Sequence, residues 1–370
     1  MRVLLFSDHH AFNWKLYSTL LPNGMPSRLW DGIEVLNQIA AIAKREKVDL
    51  ILFAGDLFHV RGTIQVQTWN AVYDAIAKMR LAAQQVGLLV GNHDQTTRSG
   101  EVHSIYSLGS VATVMDKPKW YTFLVESTKI EKKPHALHVL AVPYVKERGA
   151  AAQAISSLVD ACPSSLEATA LLGHLGVSGA KVGGNFVLVD REVPQLSDLQ
   201  ADKVDQVFLG HYHEPQQLAR NVRYLGATHH HNWGDVGSER GCWLWDTAEG
   251  QTYSEPQLMP LRYPQFKLLQ VGSKITPEQA KGHFIKVRSP TVPSQADMES
   301  YARLGASCGA RSVEFTWEEA AASTPSQVAF QPGMDLEAMI DAYVDEVEVG
   351  MRLDSDMLIE MGKELLKAAS

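Results

Sequence analysis

Short, continuous apolar runs punctuate the first hundred residues. They cover 2–7 (Arg-Val-Leu-Leu-Phe-Ser), 48–54 (Val-Asp-Leu-Ile-Leu-Phe-Ala) and 86–90 (Val-Gly-Leu-Leu-Val). Runs of this length without alternation suit strands buried on both faces. Between the first two, residues 28–46 carry Leu29, Ile33, Leu36, Ala40 and Ala43 at helical spacing, and residues 66–85 predict a second helix. Strand–helix–strand–helix–strand at this spacing predicts parallel, right-handed βαβ units. Further strands are expected at 137–142, 168–172 and 204–209, with short β segments at 224–226 and 242–245.

The polar residues after these strands carry the candidate chemistry. Five strands run into Asp8-His9-His10, Gly55-Asp56, Gly91-Asn92-His93-Asp94, Gly173-His174 and Gly210-His211-Tyr212-His213. Ligands of α/β sheets collect outside the carboxyl ends of strands, and a glycine before the polar residue permits a tight turn and close backbone approach. Asp8 and His10 are two apart, so strand alternation faces them the same way and leaves His9 for packing or a supporting hydrogen bond; His211 and His213 repeat the spacing. Seven side chains (Asp8, His10, Asp56, Asn92, His174, His211 and His213) exceed the needs of one ion. Two ions sharing a carboxylate suit the set, and a mixture of N and O donors without thiolate favours Mn, Fe or Zn over Ca or Mg. Such a pair lowers the pKa of a bridging water and clamps a phosphoryl group for in-line attack.

Asp-x-His, Gly-Asp, Gly-Asn-His-Asp, Gly-His and Gly-His-x-His, in that order, resemble the calcineurin-like metallophosphoesterases. The resemblance implies an α/β fold, an αββα sandwich with a small α+β capping domain and C-terminal helices. It implies one metal on Asp8, His10, Asp56 and His213, and a second on Asp56, Asn92, His174 and His211, with Asp56 bridging. His93 would be the catalytic histidine that protonates or stabilises the developing oxyanion. Gly55-Asp56-Leu57-Phe58-His59 is similar to a segment of the SbcD-type DNA nucleases, in which a histidine at the position of His59 assists the catalytic one during exonuclease cleavage. Tyr224-Leu225-Gly226-Ala227 and Trp233-Gly234-Asp235 look like the segment those nucleases place after the last metal motif. Residues 56–61 and 221–226 also resemble bacteriophage recombination nuclease subunits. Ala11-Phe12 depart from the Leu-Gly that usually follows Asp-x-His, so the loop over 11–27 has no guide in the family pattern. His229-His230-His231 are expected on a solvent-exposed loop near the site, the alternative being contact with DNA or a metal.

Composition narrows the class without deciding it. The chain has 370 residues, 45% apolar and 21% charged, ordinary for a globular protein. It has no apolar run of membrane length and opens directly on a strand, so neither a membrane span nor a signal peptide is expected. Cys162, Cys242 and Cys308 fit no metal or disulfide pattern, which suits a reducing cytoplasm; the family resemblance implies that of a bacterial cell or a phage-infected host. Residues 331–370 hold ten Asp/Glu against three Lys/Arg, so −7 of the chain's −8 lies there and the other 330 residues stand near −1. A near-neutral body can bind DNA locally, and an acidic tail faces a protein partner.

The expected organisation is a metallophosphoesterase nuclease domain over 1–262, a capping and DNA-binding domain over 263–319, a linker over 320–333, and a helical arm over 334–370. In the arm, Leu336, Met339, Ile340, Tyr343, Val344 and Val347 make an apolar stripe, followed by a second on Leu358, Met361, Leu365 and Leu366. By resemblance this arm docks on an SMC-like ATPase of the SbcC type, and the family admits a homodimer. The function implied is a Mn2+-dependent DNA nuclease, exonuclease on duplex ends and endonuclease on single strands, serving as the catalytic subunit of an SbcCD-like complex in recombination, repair and replication. The competing enzyme class is a small-molecule phosphomonoesterase or cyclic-nucleotide phosphodiesterase on the same core.

Overall fold

The computed structural model describes residues 1–97, 100–126, 135–147, 149–161, 168–183, 186–190, 193–247 and 254–317. The linker and helical arm expected over 320–370 lie outside them, as does Cys162.

In chain order the elements are β1 Arg2–Phe6, α1 Ser27–Arg45, β2 Leu50–Phe53, α2 Val66–Ala82, β3 Gln85–Leu89, β4 Thr113–Met115, β5 Lys119–Val125, β6 His135–Val142, α3 Ala150–Asp160 and β7 Thr169–His174. There follow β8 Lys181–Gly183, β9 Phe186–Val187, β10 Gln206–Gly210, β11 Gln216–Ala219, β12 Val222–Tyr224, β13 Gly241–Asp246, β14 Gln257–Pro260, β15 Phe266–Gln270, α4 Pro277–Ala280, β16 Phe284–Ser289, α5 Gln295–Ser307 and β17 Ser312–Trp317. One six-stranded sheet runs β14-β13-β1-β2-β3-β4, the other β11-β12-β10-β7-β6-β5. As the spacing predicts, β1, β2 and β3 pair in parallel, and β10 pairs in parallel with β7.

Strand alternation explains the layering. Val3, Leu5, Leu50, Leu52 and Leu89 of the first sheet meet Leu137, Val139, Ala170, Leu172 and Phe208 of the second in one core. Their neighbours Leu4, Phe6, Ile51, Phe53 and Leu88 turn the other way, onto Leu29, Ile33, Leu36, Val72, Ile76 and Met79 of α1 and α2. On the far side Leu140, Leu171, Val207 and Leu209 pack on Ile155 and Val159 of α3. The fold is therefore a four-layer αββα sandwich whose central strands β1, β2, β3, β7 and β10 are buried on both faces, which is why they read as continuous apolar runs. Among the described residues no helix is long and apolar enough to cross a membrane.

Residues Met1–Arg288 and Gln295–Phe315 form one compact unit. Within it β15, β16 and β17 make a separate three-stranded sheet over a small core of Ile275, Ala280, Ile285 and Val287. This sheet is fastened beside the 11–27 loop. Tyr17 Oη donates to Glu314 at 2.7 Å and its ring lies 5.6 Å from Phe266 and 5.5 Å from Phe284, while Arg311 forks onto Asp31 of α1.

Leu172 is fully buried in the layer between the two sheets. Its truncation to alanine is expected to cost about 2–5 kcal/mol, read as a lower urea midpoint with unchanged slope; a midpoint within error of the parent would contradict the layer assignment.

Candidate metal centre

The carboxyl ends of β1, β2 and β3 from one sheet and of β7 and β10 from the other open on a single site. Backbone packing at this end is close enough to dictate residue type. A Cβ on Gly91 would come within 2.2 Å of Asp56 Oδ1, and a Cβ on Gly210 within 2.2 Å of the Ala54 carbonyl oxygen on the opposite sheet. Asp8, His10, Asp56 and His211 hold positive φ angles (49°, 52°, 64° and 103°), four of the seven non-glycine cases among the described residues. The convergence of Asp8 and His10 therefore comes from left-handed turns beyond the end of β1, not from strand alternation. His9 does turn away, into the interior, where its Nδ1 lies 3.0 Å from Thr228 Oγ1.

All seven expected ligands come together. His211 N donates to both Asp8 carboxylate oxygens at 3.1 Å. Asp56 Oδ2 stands 3.3 Å from His174 Nε2 and 3.7 Å from His10 Nε2. Asn92 Oδ1 lies 2.9 Å from His174 Nε2 and 3.1 Å from His211 Nδ1, and His213 Nε2 lies 3.2 Å from His10 Nε2. Two trios of donor atoms, Asp8/His10/His213 and Asp8/Asp56/His174, each fall within 4.8 Å of one another, as does a third, His10/His59/His93.

The hydrogen-bond chemistry of this cluster fits a cation. His174 Nδ1 is 2.7 Å from the Ala54 carbonyl oxygen and must donate to it, so in the neutral ring Nε2 is a lone pair. That lone pair faces two further acceptors, Asn92 Oδ1 and Asp56 Oδ2. A set of acceptors pointed at one another needs positive charge between them. Without a cation the charge falls on His174: burial opposes its ionisation, but the Asp56 carboxylate outweighs this and lifts it to about 9. His10 and His211 go the other way, pushed down by burial first and by neighbouring imidazoles second, which leaves neutral rings with lone pairs to offer. The donor set of imidazole, carboxylate and amide oxygen suits a first-row divalent ion.

His93 and His59 stand at the edge of this cluster. His93 Nδ1 lies 2.6 Å from the His59 carbonyl oxygen, and His93 N donates to Asp56 Oδ1 at 2.7 Å. The two imidazoles stack at 5.3 Å with 17° between planes. Trp14, 4.4 Å from the His59 ring, holds that stack in place and is itself covered by the Arg28 guanidinium at 4.8 Å. Burial, then His93, depresses His59 to about 4.

The calcineurin-like phosphoesterase family model matches residues 1–215. The chain belongs to that family. Among curated proteins, this phosphoesterase is similar to the SbcD subunit of the SbcCD nuclease of Staphylococcus epidermidis, with 22% identity over 269 residues, covering 68% of this chain and 70% of the relative. Among solved structures it is similar to GAP50, the anchor in the inner membrane complex of Plasmodium (12% identity, 88% of this chain and 98% of the other, TM-score 0.39), and to the calcineurin-like phosphoesterase YfkN of Bacillus subtilis (11% identity, 70% and 88%, TM-score 0.38).

Two parts of the phosphoesterase site have roles that the motif spacing does not reveal. The first is the 228–235 loop. His229, His230 and His231 are 8%, 5% and 3% exposed, so the expectation of a solvent-exposed histidine loop is wrong: residues 228–231 run as an internal strap, and the chain reaches solvent again at Asn232 and Gly234. Its histidines satisfy backbone groups and hydroxyls. His231 Nε2 lies 3.0 Å from the Asp8 carbonyl oxygen, His229 Nδ1 2.9 Å from Thr228 Oγ1, and His230 accepts from Phe266 N at 3.2 Å while its Nε2 reaches Ser238 O. The capping-box spacing of Asn232 and Asp235, just after the histidines, could have signalled a tied-down segment.

The second is Asp94. Its buried carboxylate accepts from Gly91 N (3.0 Å), Asp56 N (2.9 Å), Leu57 N (3.0 Å) and Phe58 N (3.2 Å). It thereby fixes the β2 and β3 ends against each other and sets the aim of Asp56 and Asn92. Burial and the nearby Asp56 charge lift its carboxyl to about 7, against the pull of the N–H groups. Asp94→Ala strands four N–H donors, each costing about 1–3 kcal/mol when buried without an acceptor. The variant should melt well below the parent even without metal, whereas Asp94→Asn, which keeps an acceptor oxygen, should fall between. Equal melting of parent and alanine variant would rule out the clasp.

Proposed function

We propose that the protein is a Mn2+-dependent DNA nuclease, acting as an exonuclease on duplex ends and an endonuclease on single strands, the catalytic subunit of an SbcCD-like complex in DNA recombination, repair and replication. The observation that carries the reading is the similarity to the SbcD nuclease, which covers 68% of the chain, more than the residues 1–215 of the phosphoesterase family model, and so takes in chain the family alone does not account for. On this reading Asp8, His10, Asp56 and His213 hold one ion and Asp56, Asn92, His174 and His211 the other. Divalent ions held there would supply Lewis-acid charge to the phosphodiester and lower the pKa of a water so that hydroxide is available to attack it.

The remaining work belongs to the chain. Asp56, buried and braced by the His93 main-chain N–H, presents its free oxygen between the two ligand sets. His93, with Nδ1 engaged by the His59 carbonyl oxygen, keeps Nε2 for proton exchange with the oxygen that leaves phosphorus as the P–O bond breaks. His59 backs that ring from its stacked position, and Trp14 keeps His59 there. The three-stranded sheet over residues 263–317 serves as the cap that flanks DNA, and residues 334–370 as the arm for an SMC-like ATPase.

Purified protein with Mn2+ should release nucleotides from linear duplex DNA and nick circular single strands. His93→Ala should cut both by about 10²–10⁴-fold, the usual weight of a general acid–base group, with metal content unchanged in elemental analysis. Turnover of a chromogenic phosphomonoester or a cyclic nucleotide with DNA left intact would replace this reading with the small-molecule one.

A further inference from the structure

The strap after β12 places a carboxylate behind one of the metal-facing histidines. Asp235 is buried, 4% exposed, in the short helical turn Trp233–Asp235. Its Oδ2 accepts from His231 N at 2.7 Å and Asn232 N at 3.1 Å. Its Oδ1 faces Arg240 Nη2 at 3.2 Å and His213 Nδ1 at 3.5 Å. The opposite ring nitrogen, His213 Nε2, points at His10 Nε2, 3.2 Å away, and with Asp8 and His10 it completes a donor trio within 4.8 Å.

A neutral imidazole carries one proton, and the hydrogen bond made by one nitrogen decides which form the other takes. A carboxylate paired with Arg240 and holding two backbone N–H groups has no proton to give, so a hydrogen bond across the 3.5 Å between them runs from His213 Nδ1 to Asp235. Nε2 is then an acceptor on the face shared with His10 and Asp8. Remove the carboxylate and the proton is free to settle on Nε2, where it blocks coordination. The same residue anchors the strap whose His231 holds the Asp8 carbonyl oxygen, so the carboxylate fixes the ring while the strap fixes the β1 end opposite it.

We propose that Asp235 is the positioning carboxylate of His213, holding its imidazole in the Nδ1–H form so that Nε2 is presented to a divalent cation. The inference rests on the two-ion reading above. The general weight of such an orienting partner is about 10–100-fold in metal affinity.

The test measures Mn2+ binding to parent, His213→Ala and Asp235→Asn, by the electron paramagnetic resonance signal of free Mn2+, with metal-free melting curves of each. The parent should bind two ions and His213→Ala one fewer at the same concentrations. Asp235→Asn should bind two, one of them about 10–100-fold more weakly, and melt close to the parent without metal. A parent binding fewer than two ions, or His213→Ala retaining both, would overturn the two-ion reading and this inference with it. Loss in His213→Ala alongside a parent-like isotherm for Asp235→Asn would overturn the inference alone. Should Asp235→Asn melt far below the parent, nitrogen-15 spectra of labelled histidines in the metal-free parent decide: His213 protonated on Nδ1 supports the assignment, and His213 protonated on Nε2 overturns it.

Discussion

Asp56 and His174 meet across the seam between the two sheets, carboxylate oxygen to imidazole nitrogen at 3.3 Å, with both side chains buried. Neither group tolerates burial alone: isolated, a buried carboxylate or imidazolium forfeits several kcal/mol of hydration. Each is held by the other sheet. His174 from β7 leans on the Ala54 carbonyl oxygen at the end of β2, and Asp56 follows that same strand. The two sheets are thus fastened at their functional end by polar contacts and along the rest of their faces by the apolar layer of Leu5, Leu52, Val139 and Leu172. A site assembled from both sheets exists only when the sandwich is fully packed.

The close approach has a structural cost, and specific groups offset it. Four non-glycine residues of the site hold left-handed backbone angles, of order 1–3 kcal/mol each where such strain is real. Asp94 collects four N–H groups from both flanking strand ends, and Asp235 collects two from the strap. Asp94 thereby satisfies the backbone N–H of the strained Asp56 itself, and Asp235 fixes the strap behind His213. The 11–27 loop, where the family pattern breaks, does parallel work: Arg28 donates to the Leu16 and His231 carbonyl oxygens, and Trp14 is clasped between Arg28 and His59.

The sandwich and the strand-end donors were legible in the sequence because both depend on short-range pattern. A fully buried strand must be a continuous apolar run, and a glycine must precede a polar residue where backbones nearly touch. The helices at 28–46 and 66–85 came within a few residues of Ser27–Arg45 and Val66–Ala82, with Leu29, Ile33 and Leu36 buried as their spacing requires. Residues whose partners lie far along the chain were not legible. His231 finds the Asp8 carbonyl oxygen 223 positions away, and the local capping-box spacing of Asn232 and Asp235 does not say what the histidines before it pack against. Asp94 was visible as part of a motif, but its task is done for Asp56, 38 positions earlier. Even the shared aim of Asp8 and His10, although anticipated, arises from left-handed turns that the two-residue spacing does not encode.

The proposed function depends on Asp56 lying between two cations. Crystals grown with Mn2+ and measured at an energy where manganese scatters anomalously answer this directly. Two peaks about 3.5–4 Å apart, with an Asp56 oxygen between them and Asp8, His10, His174, His211, His213 and Asn92 around them, are the predicted result. A single peak, or a second one seated on His10, His59 and His93 instead of beside Asn92 and His174, would contradict it.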